Sequence, residues 1–165
     1  MFLTGCSQEA VDETTVNDGP VPFTEKEIES YVDEHNIEMK SLLNTSDNNY
    51  AAILAEHELY QLYKDENGKT ASHVREIHGN EDVEFGALNS IVYIIINDKE
   101  LLERGHMLEV YHEDGAMASE LFQYEEGGYS TLYDTDGSVE ATVHGAQLTI
   151  YNSDKELIYR ESMEE

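Results

Sequence analysis

The chain has 165 residues, with 9 basic against 36 acidic, a formal net charge of −27, 39% apolar residues and a single cysteine. A surface this acidic repels phosphate backbones and anionic headgroups, which excludes direct nucleic-acid binding and a basic membrane-surface patch. The apolar share is near ordinary globular usage, so a core forms without disulfides, and no run approaches the roughly 20 apolar residues of a membrane span.

In chain order, the first informative segment is Leu3-Thr4-Gly5-Cys6, a small, apolar-flanked tetrapeptide ending in the sole cysteine. The tetrapeptide resembles the lipobox of bacterial lipoproteins, in which small residues beside the scissile bond admit the peptidase and the thiol takes the lipid. The resemblance implies a lipid anchor at Cys6 and a domain held outside the cell, on the outer face of the cytoplasmic membrane. A lipoprotein signal also needs a basic segment and an apolar stretch of about 7–15 residues. Only Met1-Phe2-Leu3 precede the box here, so residues 1–6 read as the remnant of a truncated signal peptide. The plainer reading is a cytosolic protein with an unremarkable N-terminal cysteine. Residues 7–22 hold Glu9, Asp12, Glu13 and Asp18, no basic residue and no aromatic, and close on Gly19-Pro20-Val21-Pro22. That composition buries too little apolar area to fold and reads as a disordered acidic tether.

Residues 23–165 read as a single α+β domain. Thr24 and Glu27 form a capping-box signature, with Phe23 at the staple position opposite Ile28. Ile28, Tyr31, Val32, His35, Met39, Leu42 and Leu43 recur at helical spacing, which predicts an amphipathic helix over 24–43 with Ile28, Val32 and Leu42 facing a sheet. Beyond Tyr50 the pattern changes to short apolar runs divided by turn residues. Strands are predicted at 50–56, 59–63 and 71–77, with a turn at 65–69 and a polar loop at 79–84. The β-branched run 91–96 predicts a central strand covered on both faces, and 98–104 a short helical turn ended by Gly105. Further strands are expected at 107–112, 118–124, 129–134, 139–144, 148–152 and 157–160. Their closeness predicts antiparallel pairing through hairpins. The expected fold is therefore an N-terminal amphipathic helix packed on a mostly antiparallel, hairpin-built sheet, either a cystatin-like wrap or a two-sheet sandwich.

Chemistry-bearing motifs are sparse. There is no nucleophile elbow, phosphate loop or dinucleotide fingerprint. Seven histidines occur, but no helical His-Glu-x-x-His pair. His73 and His78 fall on opposite faces of a strand, and His106 and His112 stand about 20 Å apart along one. Asp134, Asp136 and Glu140 surround Gly137 and resemble the start of a calcium loop, although a plain hairpin turn accounts for Asp136-Gly137. Calcium at these three residues is the one candidate cofactor; otherwise none is expected. Tyr111, Tyr124, Tyr129, Tyr133, Tyr151 and Tyr159 lie on successive C-terminal strands, either as a face for sugars or peptides or as ordinary strand formers.

The expected function is a non-enzymatic, surface-anchored lipoprotein domain that binds or shields at the envelope, its acidic surface suiting an alkaline or saline exterior. An inhibitor or immunity protein directed at a basic secreted enzyme or toxin is the alternative. A carboxylate-dependent hydrolase is the third reading, and 36 acids make it uninformative by count.

Overall fold

A computed structural model of the protein describes residues 22–45, 50–79, 81–112, 115–121, 128–134 and 145–163. Cys6, residues 7–21 of the expected tether and the strand expected at 139–144 lie outside the described residues.

Helix α1 spans Glu25–His35. Its first turn closes the capping box: the Thr24 hydroxyl accepts the Glu27 N–H at 3.3 Å, and the Glu27 carboxylate accepts the Thr24 N–H at 2.9 Å. The helix stops well short of residue 43. Asn36 takes φ 51, a left-handed conformation that asparagine tolerates, and its N–H closes on the carbonyls of Val32 and Asp33. The chain then turns and forms strand β1, Ser41–Asn44. The expected 24–43 helix is therefore corrected. Leu42 and Leu43 continue a helical stripe on paper, but a four-residue strand is too short for its period of two to be told from 3.6. Ile28 and Tyr31 bury against Ala51, Ile53, Ala55 and Leu62, whereas Val32 is half-buried and Leu42 is 44% exposed. Leu42 thus does not face the sheet as expected.

Strands β2 (Tyr50–Leu54), β3 (Glu58–Lys64) and β4 (Thr70–Glu76) join β1 in a first sheet of order β1-β2-β3-β4. Its β3–β4 turn is fixed by Asp65, whose carboxylate accepts the N–H groups of Asn67 and Lys69, each at 2.8 Å. A middle sheet contains β5 (Val83–Leu88), β6 (Ile91–Ile96) and β9 (Tyr129–Asp134), in the order β5-β6-β9. Helix α2, Lys99–Arg104, is capped by Asp98 and ended at Gly105. A third sheet, β11-β10-β7-β8, is built from β7 (Gly105–His112), β8 (Gly115–Leu121), β10 (Gln147–Asn152) and β11 (Leu157–Ser162). Every pairing is antiparallel.

The layers follow from the alternation along β6. Ile91, Tyr93 and Ile95 pack with Ala52, Leu54, Leu59 and Ile77 on the first-sheet side. Val92, Ile94 and Ile96 pack with Leu108, Val110, Leu148 and Ile150 of the third sheet. Four layers result: α1, first sheet, middle sheet, third sheet. The protein is mostly antiparallel β-structure with little helix. Three stacked sheets replace the cystatin-like wrap or two-sheet sandwich of the sequence reading. Hairpin reasoning misses the third layer because β9 pairs with β6, and β10 with β7, across long stretches of chain. Strand β5 also falls partly inside the predicted 79–84 loop, since Glu84 and Gly86 interrupt its apolar pattern.

Candidate functional site

With so few cations, carboxylates here find other donors. Three ion pairs occur among the described residues: Lys64–Glu27, Lys99–Glu103 at 3.7 Å and Arg104–Glu100 at 2.5 Å. Tyrosine hydroxyls do more. Tyr60 donates to Glu58, Tyr111 to Glu109, and Tyr159 to Glu161 at 2.7 Å, each two residues apart on one strand face. Tyr133 donates to Glu120 at 2.7 Å across the middle and third sheets, and Tyr93 to Glu84 at 3.3 Å within the middle sheet. A phenol satisfies a carboxylate without adding charge, which is the practical partner where basic residues are scarce.

Burial, reinforced by the facing carboxylates, pushes Tyr93, Tyr60 and Tyr129 up to about 12. Tyr111 reaches about 12 chiefly through its hydrogen bond to Glu109, and Tyr133 and Tyr159 are also raised, burial leading. A phenol whose folded value lies above its unfolded value near 10 holds its stabilising contribution below about pH 10. That contribution is lost as pH climbs through the folded value. The domain is thus expected to keep its melting temperature up to about pH 10 and to unfold as pH nears 12. Tyrosinate absorbance should appear together with loss of the circular dichroism signal. Native-state titration of all the tyrosines near pH 10 would contradict this.

The middle sheet holds one buried carboxylate that the sequence reading placed in a loop. Glu84, 7% exposed, accepts the N–H of His78 at 3.1 Å and of Gly79 at 2.6 Å, besides the Tyr93 hydroxyl. Tyr93 reaches it by lying across Gly86, its cross-strand partner, where an added Cβ would stand 2.4 Å from the phenol oxygen. The two backbone donors to Glu84 come from the crossover between β4 and β5, so its geometry is that of a clamp between the first and middle sheets. The alternation Val83-Glu84-Phe85 was the signal for a strand here, obscured by the neighbouring polar residues.

Three histidines have defined contacts. His35 stacks on Tyr31 with ring centroids 4.0 Å apart, His73 stacks on Tyr63 at 4.7 Å, and His57 Nδ1 lies 3.3 Å from the His78 carbonyl. Asp134 ends β9, while its proposed companions Asp136 and Glu140 lie outside the described residues. Among the described residues no three His, Cys, Asp or Glu side chains converge as metal ligands.

Among the described residues, a groove of about 570 Å³ runs between α1 and β1. Ile28, Val32, Met39 and Leu42 form its floor, and Glu25, Glu29, Asp33 and Asn44 complete its lining. Met39 and Leu42 are 45% and 44% exposed. The Asn44 amide donates to the Phe23 carbonyl at 3.0 Å, tying the end of β1 to the chain entering the helix. Sequence reasoning missed this groove because it assigned Met39 and Leu42 to a buried helical stripe. A second concavity, of about 520 Å³ beside α2, is lined by Glu81, Asp82, Asp98 and Glu100 together with Arg104 and Tyr159.

No protein family, no curated protein and no solved structure matches this chain.

Proposed function

We propose that the chain is a surface-anchored lipoprotein domain with a non-enzymatic binding role on the outer face of the cytoplasmic membrane. The observation that carries this reading is Leu3-Thr4-Gly5-Cys6 at the sole cysteine, followed by the acidic, aromatic-free residues 7–22. A lipid on Cys6 supplies attachment, and the segment behind it supplies reach. The groove between α1 and β1 supports a binding role, since it joins an apolar floor to a charged rim. The carboxylate–phenol pairs support the external placement: they keep acidic groups satisfied without counter-charges on a surface that stays strongly solvated.

The test is phase partitioning. With an export leader that lacks a lipobox of its own placed ahead of Leu3 in a bacterial host, the protein should enter the detergent phase. Cys6→Ala should move it to the aqueous phase or leave it unprocessed. Equal aqueous partitioning of both forms would overturn the reading. The acid-rimmed groove also favours a second reading, an inhibitor or immunity protein for a basic secreted enzyme or toxin, which capture of one defined basic enzyme with loss of its activity would establish.

A further inference from the structure

We propose that the groove between α1 and β1 binds a cationic amphipathic helix of a partner protein, its apolar side chains on Met39 and Leu42 and its lysines or arginines against Glu25, Glu29 and Asp33. This rests on the reading of the chain as a binding domain and names the chemistry of what it binds.

The rim carries the argument. Glu25, Glu29 and Asp33 stand at i, i+4 and i+8 on α1, a line of like charges about 6 Å apart at 1.5 Å rise per residue. Like charges at this spacing repel and destabilise a helix. No ion pair among the described residues reaches any of the three, and no basic side chain lines the groove. The helix thus bears a repulsion that an incoming row of cations relieves, and a helix lying alongside repeats its charges at the same rise. The floor gives the second half of the match. Met39 and Leu42 lie open beside half-buried Val32 and buried Ile28, an apolar strip that holds two of the five large exposed apolar side chains among the described residues.

The occupant comes from another protein. The nine basic residues of this chain are scattered, no two being adjacent, so it contains no cationic segment of its own. A second copy, also at −27, is opposed by charge.

The test uses a fluorescein-labelled leucine–lysine amphipathic helix as probe, read by anisotropy near physiological salt. The controls are a lysine–serine peptide of equal charge and a leucine–glutamate peptide. Saturable one-to-one binding of the leucine–lysine helix is expected, with the lysine–serine peptide weaker by about tenfold or more and the leucine–glutamate peptide not bound. Glu29→Lys with Asp33→Lys should weaken binding by about a hundredfold, and Met39→Ser with Leu42→Ser by about tenfold. Glu66→Lys with Asp154→Lys makes the same change in net charge on exposed turns away from the groove, and should alter affinity by less than about twofold. All four substituted groove positions are exposed or lie on the helix surface, so circular dichroism should report an unchanged fold. Equal weakening by the distant pair would reduce the binding to general attraction of opposite charges and overturn the proposal. So would affinity indifferent to the groove variants, or no binding by any peptide. Partitioning of the Cys6 form is unaffected by these outcomes, so failure here and failure of the lipoprotein reading are separately visible.

Discussion

Ile94→Ala should cost the domain about 3–4 kcal/mol of unfolding free energy, the range for deleting a branched side chain from a core that cannot close over the gap. Ile94 is fully buried at the centre of β6, in the middle sheet, which is covered on both faces by the other two sheets. Its cross-strand partners are Phe85 and Thr131, and it packs toward Leu108, Val110, Leu148 and Ile150 in the layer beyond. Strands flanked by strands leave little freedom for collapse into a cavity. Val74, on edge strand β4, is 49% exposed, and Val74→Ala should change stability by no more than about 0.5 kcal/mol. Urea denaturation of the two variants reads the contrast. Equal midpoints would mean that β6 is not the shared core of two layers.

The second large effect is expected where the chain passes from the first sheet to the middle one. Gly79 has φ +64, and an added Cβ would stand 2.3 Å from the Glu56 carbonyl oxygen and 3.1 Å from His57 Nδ1. The left-handed backbone alone costs about 1–2 kcal/mol for a residue with a side chain, and a backbone oxygen cannot swing aside. Gly79→Ala should therefore destabilise by about 3 kcal/mol or more. Gly68 has φ +73 with open space around it, so Gly68→Ala should show the backbone cost by itself. Glu84→Ala attacks the same crossover from the other side, removing the acceptor for the His78 and Gly79 N–H groups, and should cost about 2–4 kcal/mol. Because Gly79→Ala and Glu84→Ala loosen one segment, their combined effect should fall short of the sum. Thermal unfolding of the four variants tests this. Gly79→Ala no worse than Gly68→Ala would refute the tight approach to Glu56.

The parts of the fold legible in the sequence are those where a local pattern and the tertiary environment agree. The run 91–96 had to be covered on both faces, and Ile91–Ile96 is. Asp98 and Gly105 bound the short helix as their capping chemistry suggests. Where context decides, pattern failed. Asn36 ends α1 through a left-handed cap that nothing nearby in the sequence announces, and the apolar residues beyond it become a strand and an exposed groove floor. β5 hides because its inward carboxylate is satisfied by backbone donors from another segment, an arrangement invisible before folding. The histidines looked like possible ligands, yet stacking on tyrosines occupies His35 and His73. The groove could be found only from coordinates, because its apolar floor joins two elements that sequence periodicity merges into one helix.

A lipid at Cys6 is proposed to place the acidic domain on the membrane. Its most direct test is the mass of the mature N-terminus, measured on protein purified from the membranes of the cells that make it. The account predicts an N-terminal peptide that begins at Cys6 and carries a diacylglyceryl thioether. A peptide in which Cys6 is internal and its thiol free would contradict it.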